Sequence, residues 1–201
     1  FEVLLRGQPL ARVALALPGE HNVLNALAAV AVGTELEVAP EVIARALSGF
    51  SGVDRRSQVI GEAGGILVMD DYAHHPSEIH ATLRGLREAY GRRIVAVFQP
   101  HRYSRTRDLL ERFLTAFYGA DVLVVTEIYA AGEPALPEVS GAGLVDGIRA
   151  HGHKEVEFVP DLARVPEFLE SRLREGDLMV TLGAGNVWQA GEALLQRLRG
   201  E

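Results

Sequence analysis

The feature that most constrains this chain is a series of short, uninterrupted apolar runs, GILVMDD, RIVAVFQ, DVLVVTEI and DLMVTLG, separated by stretches with helical spacing. A strand with one wet face alternates apolar and polar residues. IVAVF and VLVV do not alternate, so they predict a sheet covered on both faces. With helices between the strands, the sheet is mostly parallel and the class is doubly wound α/β. SQVIGE and VEFVP complete the strands, and helices are expected near Pro76–Tyr90, Ser104–Tyr118, Gly141–Ala150, Leu162–Arg174 and Val187–Arg199. Ligands in such sheets sit where strand ends lead into helices, which directs attention to the loops after GILVMDD and RIVAVFQ.

The first quarter of the chain has a different grammar. FEVLLRGQPLARVALAL reads as two strands around a Gly-Gln-Pro turn, as though a domain had been entered partway through. HNVLNALAAVAVGTEL then predicts a buried helix, and PEVIARAL a short one with Pro40 in its first turn and Gly49 at its end. The Ser- and Gly-containing loop that follows places a junction near Gly52–Arg56, giving domains 1–52 and 53–201.

Composition narrows the function. The net charge of -7 argues against a general nucleic-acid binder, which would carry a net basic domain. No cysteine is present, so thiolate metal sites and disulfides are excluded. No apolar run approaches the ~18–20 residues that span a bilayer, so no membrane association is expected and the default address is cytoplasmic. Lys154 is the single lysine, which leaves almost no candidate for a phosphate-binding lysine.

Two clusters stand at the ligand edge. DDYAHHPSE, from Asp70 to Glu78, packs Asp71, Tyr72, His74 and His75 between a strand and the helix that Pro76 begins. A helix N-terminus there favours a neutral imidazole able to accept a proton, while the plain reading has His75 capping the helix over solvated acids. QPHRYSRTRD, from Gln99 to Asp108, brings His101, Arg102, Arg105 and Arg107 together at the next strand end. Several guanidinium forks in a chain of negative net charge point to bidentate binding of carboxylate or phosphate.

Other stretches carry less. In GEHNVLN, His21, Asn22 and Asn25 could meet an adenine edge or simply start a helix. Arg55 and Arg56 lie at the presumed junction, exposed or touching a ligand. TLGAGNVWQAG lacks the following strand of a dinucleotide fingerprint, so its glycines are assigned to close packing, Asn186 to capping and Trp188 to burial. HGHKE, His151 to Glu155, is read as a solvated turn away from the ligand edge.

Taken in order, GEHNVLNALAA, VDRRSQVIGE, DDYAHHPSEI and FQPHRYSRTRD resemble the Mur ligases of peptidoglycan synthesis over essentially the whole chain, most narrowly the member that adds L-alanine to UDP-N-acetylmuramate. The resemblance implies the tail of a central α/β ATPase domain followed by a whole Rossmann-like C-terminal domain. It implies ATP and Mg2+ as cofactors, the magnesium ligands and the G-x-x-x-x-G-K-[ST] loop being expected upstream, so that the chain alone would not catalyse. ATP would convert the lactyl carboxylate to an acyl phosphate, which the alanine amine attacks to form the amide and release phosphate.

By the same resemblance, His21, Asn22 and Asn25 would lie on the adenine side, Arg56 at the nucleotide phosphates and Asp71 at the ribose or γ-phosphate. Tyr72, His74 and His101 would line the amino-acid pocket, with Arg102 and Arg105 clamping the alanine carboxylate or the developing charge. A metal-dependent phosphoesterase using Asp70, Asp71, His74 and His75 as ligands, and a non-catalytic nucleotide-binding domain, are the rival readings.

Overall fold

A computed structural model describes residues 1–200, which divide into two compact units, 1–54 and 55–200. The first contains strands β1 (Glu2–Leu5) and β2 (Gln8–Arg12) and helices α1 (Glu20–Glu35) and α2 (Pro40–Ser48). The opening turn is tighter than the expected Gly-Gln-Pro. Leu5 pairs with Gln8, so Arg6 and Gly7 alone make the turn, at φ 51° and 81°, and Pro9 lies within β2 beside an irregularity in register. Positive φ at both central residues gives the turn the twist that antiparallel strands require.

Val3, Val13, Val30 and Ile43 form the core of this unit. They draw in one side of α1 only. The helix expected to be buried instead has Ala26 and Val30 covered, while Leu24, Val32 and Leu36 are 61%, 60% and 71% exposed.

The second unit is a six-stranded sheet of β3 (Gln58–Ala63), β4 (Ile66–Asp71), β5 (Ile94–Phe98), β6 (Val122–Val125), β7 (Val156–Phe158) and β8 (Leu178–Leu182), in the order β3-β4-β8-β5-β6-β7. β3 pairs antiparallel with β4, and all other pairs are parallel. The helices are α3 (Pro76–Tyr90), α4 (Tyr103–Asp108), α5 (Leu110–Phe113), α6 (Gly141–Ala150), α7 (Val165–Glu170) and α8 (Trp188–Arg199).

Alternate strand residues feed two cores. Met69, Ala96, Phe98, Leu123 and Val180 pack with Ile79 and Leu83 of α3, Phe113 of α5 and Ile148 of α6. Val68, Val95, Val97, Val124 and Met179 pack with Leu169 of α7 and Leu194 of α8. This is the doubly wound sheet, and its layering follows from handedness. The chain steps from β4 through β5 and β6 to β7 in one direction, with its helices on one face. Returning from β7 to β8 reverses direction, so a right-handed crossover puts α7 on the other face, and α8, leaving the end of β8, packs beside it.

Two expected helices are shorter than their apolar spacing suggested. The stretch 104–118 divides at Leu109 (φ -112°, ψ 15°) into α4 and α5 and continues as tight turns, with Ala116 and Ala120 bonding three residues back. That tightening buries Phe113, Leu114 and Phe117 together, with both Phe113 and Phe117 against Phe98 at 5.6 and 5.0 Å. The stretch 162–174 opens as a 3-10 turn over Leu162–Arg164, and α7 begins only at Val165, because Pro166 suits a first helical turn and not an interior. Among the described residues, no helix is long and apolar enough to cross a membrane.

Candidate functional site

The carboxyl ends of β4, β8 and β5 lie side by side at one edge of the second unit. From there α3 departs over one face and α8 over the other, so the loops diverge and leave a crevice between them. The loops 72–75, 99–102 and 183–187 meet there.

The start of the second unit is pinned to this edge. Arg55, left-handed at φ 62°, donates from Nε to Asp70 Oδ2 at 2.8 Å and from its two Nη atoms to the carbonyls of Gly185 and Gly183 at 3.1 and 2.7 Å. Asp70 is 1% exposed, and its other oxygen accepts from the Thr181 hydroxyl. The Arg55 carbonyl accepts from Tyr72 N, closing the segment against β4. Arg55, read from sequence as exposed or ligand-touching, is therefore a structural hub. The Arg-Arg doublet signalled that something was there; only the fold divides the labour within it.

Asp71, expected at the nucleotide, is 2% exposed. Its carboxylate accepts from Ser57 N at 2.7 Å, from Ser57 Oγ at 3.3 Å and from Ala73 N at 2.8 Å. Burial pushes its pKa above the ordinary 3.8, against those hydrogen bonds and the charge of Arg56. Arg56 itself is exposed, with its guanidinium 5.7 Å from the Tyr72 ring centre. Arg55 lies 5.0 Å from the same ring.

The two histidines at the crevice have opposite tautomers. His74 Nδ1 lies 2.9 Å from the Tyr72 carbonyl, which can only accept, so Nδ1 carries a proton and a neutral ring has its lone pair on Nε2. His101 Nδ1 lies 3.1 Å from Arg105 Nη1, which can only donate, so here Nδ1 is bare and Nε2 carries the proton. Burial lowers the His101 pKa below 6.5, and Arg105, His74 and Arg102 lower it further, with Glu133 opposing. The two rings are 6.2 Å apart, and the Tyr72 ring meets His74 edge-on at 5.4 Å. An imidazole with a bare Nε2 and one with a protonated Nε2 thus stand side by side at this edge.

His75 takes the plain role foreseen for it. Its Nδ1 accepts from Ser77 N, while Glu78 Oε2 accepts from the backbone N–H groups of His74 and His75 at 3.1 and 3.2 Å, a reciprocal cap on α3. Burial alone would raise the Glu78 pKa, but those two bonds, with His74 and Arg56 nearby, hold it below 4.5.

The arginine loop divides as well. Arg102 adopts φ 73° and projects an exposed guanidinium with no hydrogen bond or ion pair among the described residues. Arg105 reaches back to His101, bonding its carbonyl as well as its ring. Arg107 pairs with Asp108 at 2.8 Å on the surface and leaves the cluster.

His21, Asn22 and Asn25 lie in the first unit, in the opening turns of α1. Asn22 Nδ2 donates to the Pro18 carbonyl at 2.7 Å, and Asn25 is exposed. Two weaker expectations need correction. Trp188 is only half-buried, and Asn186 bonds Gln99 Nε2 through Oδ1 instead of capping α8, whose cap position is Val187. His153 is 6% exposed and not a solvated turn residue, because the exit of α6 folds it inward beside the backbone of Ala120 and Phe117. Neither of its ring nitrogens makes a hydrogen bond of ordinary geometry.

The phosphoesterase alternative loses its ligands. Asp70 and Asp71 are committed to Arg55, Thr181, Ser57 and Ala73, and His75 to the cap. Among the described residues, no group of three His, Asp or Glu side chains is placed to hold a metal ion.

Residues 55–185 match the family described as Mur ligase, glutamate ligase domain. The chain belongs to the Mur ligase family. Among curated Mur ligases, the UDP-N-acetylmuramate--L-alanine ligase of Syntrophotalea carbinolica is 52% identical over 199 residues, 99% of this chain and 43% of that protein. The corresponding protein of Solibacter usitatus is 53% identical over the whole chain, again 43% of its own length. The chain thus spans less than half the length of the curated relatives it matches. Among solved structures, a UDP-N-acetylmuramate-alanine ligase from Thermotoga maritima superposes with a TM-score of 0.80 at 32% identity, covering 96% of this chain and 41% of that one.

Proposed function

We propose that this chain is the amino-acid-receiving part of an ATP-dependent ligase that joins L-alanine to UDP-N-acetylmuramate. The observation that carries this reading is the complementary histidine pair beside the unpaired guanidinium of Arg102. A free α-amino acid presents one carboxylate and one ammonium, and the crevice offers a matching group for each. Arg102 and Arg105 supply the cationic side for the carboxylate. His74 Nε2 supplies a lone pair for the proton that the ammonium must lose before it can attack a carbonyl, and His101 Nε2–H supplies a donor for a developing negative oxygen. Tyr72 walls the pocket on the side of Arg56.

Arg56 is the group we assign to the nucleotide phosphates, because it is exposed and cationic at the same edge. Asp71 acts through it, holding Ser57 and so the direction in which Arg56 points. His21, Asn22 and Asn25 are assigned to the adenine side. ATP supplies the phosphoryl group that activates the sugar carboxylate. The relatives' names support the choice of L-alanine and UDP-N-acetylmuramate as substrates, and a cytoplasmic setting is proposed with them.

The test is titration of the isotopically labelled chain with L-alanine. Saturable shifts confined to the amides of Tyr72–His75 and His101–Arg105, weaker with D-alanine, are expected. Shifts scattered elsewhere, or none, overturn the amino-acid assignment. Joined to the remaining length that its relatives possess, the chain should support ATP hydrolysis that requires both L-alanine and UDP-N-acetylmuramate.

A further inference from the structure

The loop between β6 and α6 is closed on itself at its base and tied to the arginine loop at two further levels. At its base, Glu127 Oε1 accepts from Ile128 N and Gly141 N at 2.9 and 3.0 Å, closing the two ends of the loop on each other. Next, Tyr129 N donates to the Pro100 carbonyl and the Tyr129 carbonyl accepts from Arg102 N, both at 2.8 Å. The Tyr129 ring lies flat on His101, with centres 5.5 Å apart and planes 10° from parallel. Further out, Glu133 accepts from Ser104 N at 3.0 Å and from Ser104 Oγ at 2.6 Å.

These contacts answer a local need. α4 is only six residues long and starts from a left-handed Arg102 with no side-chain cap of its own. Its free N–H groups need an acceptor, and Glu133 supplies one from another loop. His101 and Arg105 sit four residues apart across that first turn, so their bond depends on the turn being formed. The Tyr129 ring covers one face of the imidazole and sets its plane.

We propose that Tyr129 and Glu133 are positioning residues for the amino-acid clamp: from the loop after β6 they fix the first turn of α4, and thereby the direction of Arg102 and the tautomer of His101. This rests on reading the His74, His101 and Arg102 cluster as the amino-acid site. Neither residue touches the substrate. The Glu133 carboxylate is committed to Ser104, its pKa held low first by the Ser104 hydroxyl and then by the Ser104 backbone.

The experiment compares Glu133→Ala, Glu133→Gln and Tyr129→Ala with the parent chain by two readouts, L-alanine affinity and the ring-nitrogen spectrum of His101. Glutamine keeps both bonds, accepting from Ser104 N and donating to Ser104 Oγ, while removing the charge. Glu133→Ala and Tyr129→Ala are expected to weaken binding about tenfold and to turn the single His101 tautomer into a mixture. Glu133→Gln is expected to restore tautomer and affinity to near the parent. In that variant His101 should also titrate lower, since Glu133 is the group opposing Arg105, His74 and Arg102. A parent-like His101 spectrum in Glu133→Ala, or a Gln variant no better than the Ala variant, overturns the proposal. If the parent chain fails to bind L-alanine, the amino-acid reading falls while the His101 spectrum still decides the positioning role. Emission from Trp188, the single tryptophan, monitors folding of each variant.

Discussion

Arg55 Nε and Asp70 Oδ2 meet at 2.8 Å, joining the first residue of the second unit to the buried end of β4. The acid is 1% exposed and has no solvent to fall back on. Truncating Arg55 to alanine strands that charge together with the carbonyls of Gly183 and Gly185. Breaking a buried pair from one side costs about 3 kcal/mol or more. Urea unfolding followed at Trp188 should show the loss, and a change within error would show that the pair is ornamental.

Arg102 has no internal partner, so its removal should leave stability intact and affect function alone. Arg102→Ala is expected to weaken L-alanine binding about tenfold or more, as for loss of a charge-assisted bidentate contact. Arg105→Lys should behave differently, because the one nitrogen Nη1 serves both the ring and the carbonyl of His101, and a lysine carries its ammonium on a shorter stem without the planar guanidinium that holds Nη1 there. Its mark is a shifted His101 titration as well as lower affinity.

His153 gives an acid sensitivity whose sign can be worked out. Burial lowers its folded pKa below the ordinary 6.5, although the nearby backbone carbonyls, Asp121 and Glu155 oppose this. Below that ordinary value the unfolded chain binds the proton and the folded one resists it. The contribution is therefore fully present above about pH 6.5 and is lost as pH falls toward the folded pKa. His153→Leu should flatten the urea midpoint between neutral and mildly acidic pH. An unchanged slope would assign the acid sensitivity to other groups.

Gly185 is required by space and not by its dihedral angles. A Cβ there would run into the Gln99 side-chain oxygen and the Tyr129 ring. Gly185→Ala should cost about 1–3 kcal/mol through overpacking. It should also loosen the Tyr129–His101 stack, visible as a change at His101 by NMR. A variant as stable as the parent would mean that Gln99 swings clear without cost.

The second unit was legible because its central strands β5 and β6 are apolar at every position, and residues such as Val97 and Val124 have few other places to go. What sequence could not divide was labour between neighbours of one chemical type. Arg55 and Arg56 look alike on paper, yet one bonds two carbonyls and a buried acid while the other faces outward. Asp71 was visible as a site residue, but its carboxylate turns inward to hold Ser57, while His75 caps α3 as its plain reading foresaw. Tyr129 and Glu133 were hidden because their partners lie 29 or fewer residues upstream, across a strand whose register no local pattern reveals. The break at Leu109 was equally invisible, since Phe113 and Phe117 keep helical spacing through it.

β8 is the final strand of its unit in sequence but stands third in the sheet, with Leu178 opposite both Leu67 of β4 and Ile94 of β5. The histidine-bearing loops after β4 and β5 are held about 9–10 Å apart, two strand spacings, by this one insertion. During synthesis every residue of the proposed clamp emerges well before the strand that gauges the gap. A copy interrupted before Leu178 lacks that spacer, so the two loops of the proposed clamp have no strand between them to set their separation.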